Sequence, residues 1–226
     1  MSYDPEHVAA FFDEYGEREW TRFEDGRTPS TSLAVHVHYL RRFVKRNDRV
    51  LDVGAGPGRF TLELARLGAT IVVADISPEQ LELNARRLAE ADLEDRVAER
   101  RVADVTDLSE FPDERFDAVV CYGGPVSYAV ERSEQAVAEL VRVTRRGGHV
   151  LISVMSLVGA MTRYLELVLE LVRRDGAAKM EEIVRSGILP EGDGYGHLDM
   201  RMFRWSELEA LLAQNGTIVA ASAAGI

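Results

Sequence analysis

From residue 49 onward, short runs of β-branched and other apolar residues alternate with longer segments in which apolar positions recur every three or four residues. Such alternation is typical of parallel strands joined by helices that cover both faces of one sheet. The predicted strands are residues 50–53, 70–74, 97–102, 116–121, 149–154 and 217–221. We therefore predict an α/β fold with a doubly wound, mostly parallel sheet.

Helical patterns also occur outside the alternating segment. Residues 1–48 precede the first predicted strand and contain two of them, the second beginning near Ser30 or Thr31, which predicts an N-terminal helical lid. A helical insertion is predicted at about residues 157–200, after the fifth strand. Because no repeat or second series of strands is present, residues 49–226 are interpreted as one core domain that carries the lid and the insertion. The later helical patterns lie at residues 159–172, 177–184 and 206–213.

Two helix boundaries are marked by residues typical of helix ends. Ser77 is a predicted N-cap, because Pro78 follows at a position that a first helical turn tolerates. Gly147 and Gly148 follow a helical segment with arginines in its last turn, which predicts a helix stop before the fifth strand.

The charge of the chain narrows its range of partners. The 226 residues carry a net charge of -11, and Lys45 and Lys179 are the only lysines. A field of that sign repels phosphate backbones, and no basic stripe offsets it, so nucleic acid is not an expected partner. Abundant arginine with acidic helix surfaces is a pattern of halophilic proteins, although GC-rich coding alone also favours arginine.

Cysteine usage and hydropathy indicate the cellular compartment in which the protein is expected. Cys121 is the single cysteine, which excludes an intramolecular disulfide and a cysteine-based zinc cluster. The N-terminus lacks an apolar signal-peptide region, and no apolar run approaches the roughly 20 residues that span a bilayer. We therefore expect a cytoplasmic protein with no membrane segment.

The strongest functional pattern lies at the end of the first predicted strand, where residues 50–60 read VLDVGAGPGRF. Gly54, Gly56 and Gly58 permit a sharp turn and the close approach of a ligand, while the helix that follows offers free N–H groups and a favourable dipole. A dinucleotide-binding fingerprint would carry its third glycine at Arg59. The spacing here is instead a glycine at every second position.

Acidic residues follow the next two predicted strands. Asp75 comes about twenty residues beyond the glycine loop, where a carboxylate accepts hydrogen bonds from ribose hydroxyls in nucleotide-binding proteins. Asp104 follows the third strand in the sequence VADVT. Each has an alternative interpretation, Asp75 as a cap for the helix at Pro78 and Asp104 as an ordinary turn residue. Their positions beside the glycine loop favour a nucleoside site.

Together these segments resemble class I S-adenosylmethionine-dependent methyltransferases, which have a Rossmann-like fold, and in particular their small-molecule domains of types 11 and 25. The resemblance covers residues 49–155. It implies that S-adenosylmethionine is bound, that S-adenosylhomocysteine is released, and that the methyl acceptor is a small molecule. The implied cofactor contacts are Asp52 near the amino group, Gly54, Ala55, Gly56 and Gly58 on the methionyl part, Asp75 on the ribose, Ile76, Asp104 and Val105 on the adenine, and the backbone of Cys121 and Tyr122 beside the methyl group.

The implied reaction is an in-line displacement, which requires the protein mainly to align the acceptor and to exclude water. A base is needed only where the acceptor holds its proton tightly. His197, in a glycine-rich loop, and Tyr15, in the lid, are candidate catalytic residues, although a loop histidine or a lid tyrosine is more often structural. Trp20, Tyr128 and Arg201 are further candidates.

Alternatives remain open at this point. One is a non-catalytic module that binds S-adenosylmethionine or S-adenosylhomocysteine. A less favoured one is a nicotinamide-dependent oxidoreductase, because Arg59 replaces the third glycine and no catalytic dyad is found. No residue spacing resembles a metal motif.

The chain reaches Ile226 without the seventh strand of the family. Either the chain is trimmed, or the N-terminal segment or a partner, such as a second copy in a homodimer, covers the unpaired edge.

Overall fold

The computed structural model describes residues 2–21, 30–192 and 194–224. Its main sheet has five parallel strands in the order β3-β2-β1-β4-β5. The predicted α/β class with a doubly wound sheet is confirmed, since buried side chains pack helices on both faces. The strands are β1 (Arg49–Val53), β2 (Thr70–Asp75), β3 (Val97–Val102), β4 (Phe116–Cys121) and β5 (Thr144–Ile152).

The helices alternate with these strands and also form the two additions. Helix α5 starts as predicted, because the Ser77 hydroxyl accepts a hydrogen bond from the Gln80 N–H at 3.1 Å and Pro78 occupies the first turn. A small antiparallel hairpin, β6 (Ile188–Leu189) with β7 (Met200–Arg201), follows the insertion. The α-helices are α1 (Pro5–Tyr15), α2 (Arg18–Thr21), α3 (Ser30–Phe43), α4 (Arg59–Leu67), α5 (Pro78–Glu90), α6 (Pro125–Tyr128), α7 (Ser133–Val143), α8 (Leu157–Arg163), α9 (Leu165–Asp175), α10 (Ala177–Ser186) and α11 (Trp205–Asn215).

The two faces of the sheet are buried by different helices. Leu51 and Val53 of β1 pack with α7 and α11, whereas Val50 packs with α3, α4 and α5. All three side chains are at most 1% exposed, and burying a side chain of this size stabilises a fold by roughly 1.5–3 kcal/mol. The alternation along β1 places Asp52 on the same face as Val50. An acid therefore lies where the pattern calls for an apolar residue.

The predicted sixth strand, residues 217–221, is wrong. After α11 the chain is irregular as far as residue 224, and Val219 is 62% exposed. An extended segment becomes a strand only where a neighbouring strand satisfies its backbone groups, and no strand of the described ranges lies beside this one. Within those ranges the outer edge of β5 also has no strand partner. A homodimer that covers this edge stays a prediction.

The prediction that Gly147 and Gly148 end a helix before the fifth strand is also wrong. Helix α7 runs directly into β5, so that Gly147, at φ +72°, and Gly148 lie inside the strand. The register of β4 and β5 shifts beside them, between Phe116 and Ala118. A Cβ on Gly148 would lie 2.7 Å from the Asp117 carbonyl oxygen. Gly147 and Gly148 therefore form a β-bulge at which β4 and β5 approach closely, and they do not end the helix.

A third buried cluster joins the N-terminal helices to the segment after β5. Val8 of α1 belongs to it, together with Leu157, Leu171 and Met180 of α8, α9 and α10. The segment predicted as a single helix at 159–172 is two helices, because α8 ends before Tyr164 and α9 begins after it. The cluster also contains Tyr128, which follows β4, so it packs at the carboxyl edge of the sheet.

Candidate functional site

The glycine loop is a tight turn that only glycine can make. Gly54 has φ +64°, and a Cβ at this residue would lie 2.2 Å from the Cγ of Pro125. The N–H groups of Gly54 and Ala55 donate to the Ala74 carbonyl oxygen at 2.8 and 3.3 Å, which ties the turn to β2. Gly56 has φ +53°, another value that favours glycine. The turn therefore brings bare backbone to the carboxyl ends of β1 and β2.

A cavity of about 850 Å³, including its open mouth, lies over this turn. It sits where the strand order reverses at β1, between β2 and β4, which is where doubly wound sheets bind their ligands. The wall contains these predicted cofactor residues: Gly54, Ala55, Gly56, Asp75, Ile76, Asp104, Val105 and Tyr122. The rest of the wall is formed by Tyr3, Val8, Phe12, Glu19, Pro57, Arg59, Phe60, Gln80, Ala103, Gly123, Pro125 and Tyr128.

Asp75 is held at the cavity by backbone donors. Its carboxylate accepts the Gly56 N–H at 2.8 Å on one oxygen and the Ser77 N–H at 2.9 Å on the other. Burial raises the pKa of Asp75 to about 6, against these hydrogen bonds, which lower it. Each carboxylate oxygen can accept more than one hydrogen bond. The fixed carboxylate is thus able to receive two neighbouring hydroxyl donors from a ligand.

Asp104 is oriented by Tyr3, a residue that the sequence did not single out. The Tyr3 hydroxyl donates to Oδ1 of Asp104 at 2.9 Å, and the Thr106 N–H donates to the same oxygen at 2.8 Å. Tyr3 is only 7% exposed, and burial together with the Asp104 charge raises its pKa. Because Oδ1 already accepts two hydrogen bonds, Oδ2 is the oxygen left for a ligand.

Asp52 lies behind the glycine loop and does not form the cavity wall. Its carboxylate accepts the Thr61 hydroxyl of α4 at 2.7 Å, and that hydroxyl accepts the Asn84 amide of α5 at 2.9 Å. The side chain is 2% exposed, and burial raises its pKa to about 7. Gly58 and Cys121 also lie outside the wall. Burial raises the pKa of the Cys121 thiol, which opposes a thiolate nucleophile.

Comparison with known proteins gives the family. A profile described as "Methyltransferase domain" matches residues 51–152. The chain is 32% identical over 220 residues to a demethylmenaquinone methyltransferase of Clavibacter sepedonicus, which covers 93% of this chain and 81% of that relative. The chain belongs to the class I S-adenosylmethionine-dependent methyltransferases.

Two further matches agree with this assignment. A ubiquinone biosynthesis O-methyltransferase of Alkalilimnicola ehrlichii is 29% identical over 153 residues, which are 67% of this chain and 60% of that one. The solved structure of an S-adenosylmethionine-dependent methyltransferase from Methanosarcina mazei has the same fold, with a TM-score of 0.61 and 22% identity over 78% of this chain and 82% of that chain. This chain is also 38% identical over 100 residues to an uncharacterized Mycobacterium tuberculosis protein. That match covers 44% of this chain and only 34% of the longer relative.

Family membership decides among the interpretations left open by the sequence. The methyltransferase transfers the methyl group of S-adenosylmethionine to a small-molecule acceptor, and a binding module or an oxidoreductase is not favoured. Arg59, which replaces the third glycine of a dinucleotide fingerprint, has another role here. Its guanidinium stacks 3.5 Å from the Trp20 ring, and it donates to the Trp20 carbonyl oxygen at 3.3 Å. The position therefore joins the glycine loop to the N-terminal helices.

The N-terminal segment is attached over the cavity beside Asp75 and at Asp104. Asp13 of α1 accepts the Ser77 hydroxyl at 2.5 Å and the Glu79 N–H at 3.2 Å, just beyond Asp75. Tyr3 makes the second attachment, at Asp104. The methyltransferase therefore closes the site with its own N-terminal segment.

Gln80 provides a test of whether the cavity fits the cofactor. Its amide nitrogen donates to the carbonyl oxygens of Phe12 and Gly16 at 3.0 and 3.1 Å. Its buried Oε1 accepts no hydrogen bond from the described residues. A Cβ on Gly56 would lie 3.9 Å from this oxygen, so Oε1 is next to the glycine loop. A buried acceptor in this position calls for a ligand donor, and S-adenosylmethionine carries both hydroxyl and ammonium donors.

The two predicted catalytic residues meet each other but do not form the cavity wall. The rings of Tyr15 and His197 stack with centroids 6.2 Å apart. His197 reaches the cavity through Tyr128, whose hydroxyl is 2.9 Å from its Nε2. Trp20 packs between Arg59 and Arg87, and Arg201 stacks on Phe203 outside the wall.

Among the residues that the structure describes, no group of three or more His, Cys, Asp or Glu side chains could hold a metal ion. The same ranges contain no helix that combines the length and the apolar character needed to cross a bilayer.

Loss of the Tyr3 hydroxyl is expected to weaken cofactor binding. In Tyr3→Phe, Asp104 loses one of the two donors that orient it. We expect the Kd for S-adenosylhomocysteine to rise about three- to tenfold, and the free energy of unfolding to fall by about 1–2 kcal/mol. Calorimetric titration and urea unfolding measure the two effects.

The matched control is Tyr195→Phe. It removes a tyrosine hydroxyl from another hydrogen bond to an aspartate, Asp175, away from the cavity wall. S-adenosylhomocysteine affinity should not change in the control. Unchanged or tighter binding in Tyr3→Phe would show that Tyr3 does not orient Asp104 for the ligand.

Proposed function

We propose that this methyltransferase acts on a flat aromatic ring that carries hydroxyl groups, of the quinol type. The observation that carries the proposal is the character of the cavity wall. Beside Asp75 and Asp104, the wall contains four aromatic rings, together with the polar side chains of Glu19, Arg59 and Gln80. The rings are those of Phe12, Phe60, Tyr122 and Tyr128. Aromatic walls favour a planar apolar ligand. The net charge of -11 also disfavours a strongly anionic acceptor.

The names of two relatives support the same acceptor class. The Clavibacter relative is named for demethylmenaquinone and the Alkalilimnicola relative for ubiquinone, so both names refer to quinones. A reduced quinone ring is electron-rich and carries hydroxyl groups, which makes it a nucleophile toward a sulfonium methyl group. We extend that acceptor class, and no individual compound, to this chain.

In the proposed complex the protein holds S-adenosylmethionine by its nucleoside and methionyl ends. Asp75 accepts the two ribose hydroxyls, and Oδ2 of Asp104 accepts the adenine amino group. Ile76 packs on the adenine, and the Val105 N–H meets the ring edge. Bare backbone of the glycine loop contacts the methionyl part. When bound, S-adenosylmethionine supplies an electrophilic methyl group, and the protein aligns the acceptor with it and keeps water out.

Two of the predicted cofactor residues act indirectly in this proposal. Asp52 supports the glycine loop from behind through Thr61, at the base of the methionyl end. Cys121 ends the strand that positions Tyr122 and is itself fully buried. Gly58, at φ +95°, allows α4 to begin directly after the loop.

Methyl transfer to a defined acceptor tests the proposal. The protein is incubated with methyl-labelled S-adenosylmethionine and 1,4-naphthalenediol under anaerobic conditions, with unsubstituted naphthalene and an aliphatic amine as comparison acceptors. We expect one label in the diol and none in the other two. Label in the amine alone would overturn the acceptor class. Saturable binding of S-adenosylhomocysteine without label in the diol would also overturn the acceptor class.

A further inference from the structure

One pair of titratable side chains connects the cavity to solvent. Tyr128 is the last residue of α6, forms part of the cavity wall and is 5% exposed. Its hydroxyl lies 2.9 Å from Nε2 of His197. His197 is exposed. The two residues are therefore a hydrogen-bonded bridge from the cavity wall to water.

The imidazole of His197 is held in place by two aromatic rings that stack on one of its faces. The Phe11 ring lies 5.1 Å from it at an interplanar angle of 18°, and the Tyr15 ring lies 6.2 Å from it at 12°. Both rings belong to α1, which covers the cavity. The neighbouring Leu198 is 1% exposed and anchors the loop. Stacking on one side and an anchored backbone on the other restrain the ring, so that Nε2 stays directed at Tyr128.

We propose that Tyr128 and His197 form the path by which the proton of the acceptor hydroxyl leaves the cavity. The inference rests on the proposed function, because a hydroxyl acceptor must lose its proton when the methyl group is transferred to it. Tyr128 is the group that meets the acceptor. His197 is a positioning residue and proton acceptor that acts through Tyr128.

Two protons move along this path when the methyl group is transferred. The acceptor hydroxyl gives its proton to the Tyr128 oxygen while the Tyr128 hydroxyl gives its own proton to Nε2 of His197, which becomes an imidazolium. The electron pair of the acceptor forms the new bond to the methyl carbon, and the pair of the broken carbon–sulfur bond stays on sulfur. The exposed imidazolium then releases its proton to water.

The path requires a particular protonation state of His197. Nε2 accepts from Tyr128 only if the neutral ring carries its proton on Nδ1. Charged or titratable groups on the elements packed against His197 are Glu6, His7, Asp13, Glu14 and Tyr15 of α1, and Glu191 and Asp199 of its own loop region. Just beyond α1, the guanidinium of Arg18 is 4.6 Å from the Tyr15 centroid. Glu191 is paired with His7, at 2.7 Å.

The first experiment does not depend on turnover. Nitrogen-15 correlation spectra of the histidine side chains, recorded on the full chain above neutral pH, report which ring nitrogen carries the proton. We expect His197 in the Nδ1–H form, with a shift of its Nε2 resonance in Tyr128→Phe. An Nε2–H form would overturn the proposal, because the histidine would then donate to Tyr128.

The second experiment uses transfer to 1,4-naphthalenediol. Because a positioned base contributes about 10²–10⁴-fold to a rate, we expect kcat to fall at least 10-fold in both Tyr128→Phe and His197→Gln. The double variant should be no slower than the slower single variant, since both act in one path. The Kd for S-adenosylhomocysteine should stay within about twofold. His38→Gln, at an exposed histidine of α3, is the matched control and should retain its rate.

The dependence of the rate on pH separates a proton path from a packing role. Above the pKa of the diol the acceptor ionises without help, so the deficit of both variants should shrink as pH rises. A deficit that is constant with pH would overturn the proposal. If the wild type transfers no label to the diol, the proposed acceptor class fails, and the nitrogen-15 spectra still decide whether His197 accepts from Tyr128.

Discussion

Replacement of Asp75 by alanine is expected to weaken S-adenosylhomocysteine binding by at least about 100-fold. Two hydrogen bonds to a carboxylate would be lost, and each such bond is worth about 1.5–3 kcal/mol, while 1.4 kcal/mol is a factor of ten in affinity. The Gly56 N–H would also lose its acceptor, which loosens the glycine loop against β2. Calorimetric titration of the two proteins measures the effect.

Two further variants separate the loss of the ligand contact from the loss of a negative charge. Asp75→Asn keeps an acceptor for one of the two backbone donors but removes the charge, and we expect an affinity between those of the wild type and Asp75→Ala. Glu82→Ala makes the same charge change on the exposed side of α5 and should bind as the wild type does. Equal affinity in Asp75→Ala and Glu82→Ala would show that Asp75 does not contact the ligand.

Replacement of Asp52 by asparagine is expected to stabilise the protein above neutral pH. Burial raises the pKa of Asp52 from 3.8 to about 7. Between these two values the folded protein holds a proton that the unfolded chain has released, so wild-type stability falls as pH rises from about 4 through about 7. Three pKa units at 1.4 kcal/mol each put the cost at pH 8 at up to roughly 4 kcal/mol. Asparagine keeps the shape and removes this cost.

Urea unfolding at pH 5 and pH 8 measures the prediction. The free energy of unfolding of Asp52→Asn should exceed that of the wild type by a few kcal/mol at pH 8, with a smaller difference at pH 5. Asp117→Asn is a control of opposite sign, because a hydrogen bond from the Arg49 N–H lowers the pKa of Asp117. That variant should lose stability at pH 8. A destabilised Asp52→Asn at pH 8 would contradict a carboxylate whose burial costs more than its hydrogen bond from Thr61 returns.

Much of the sheet could be predicted because strand signals in this chain are local. β3 and β4 have the predicted bounds, residues 97–102 and 116–121. Asp75 and Asp104 could be placed together because parallel strands end at the same edge, and the cavity there contains both. Residues 217–221 have the same local composition and yet form no strand. A strand is a pairing, and pairing depends on what lies beside it in space.

Gln80 shows how a correct local pattern can hide a functional residue. The sequence Ser77-Pro78-Glu79-Gln80 is a capping-box pattern, in which Gln80 would reach back to the Ser77 N–H. In the fold Asp75 accepts that N–H, so the Gln80 side chain instead binds α1 and leaves its Oε1 at the cavity. The role of Gln80 therefore becomes visible only when the end of β2, α5 and α1 are seen together in the fold.

Tyr3 was missed, and the link between Tyr128 and His197 was not predicted, because in each case the partners are distant in the sequence. Tyr3 and Asp104 are 101 residues apart, and Tyr128 and His197 are 69 apart. A single sequence contains no periodic signal that joins such pairs. His197 could be singled out from its glycine-rich loop, but its link to the cavity through Tyr128 required the folded arrangement.

The central claim is that the carboxylates at the ends of β2 and β3 and the glycine loop after β1 hold one nucleoside attached to an amino acid. The most direct test is a crystal structure of the full chain with S-adenosylhomocysteine. We predict that the ribose hydroxyls bind Asp75, the adenine amino group binds Oδ2 of Asp104, and the amino-acid end lies along Gly54 to Gly56. A nucleoside bound elsewhere, or one that leaves both carboxylates without contact, would contradict the account.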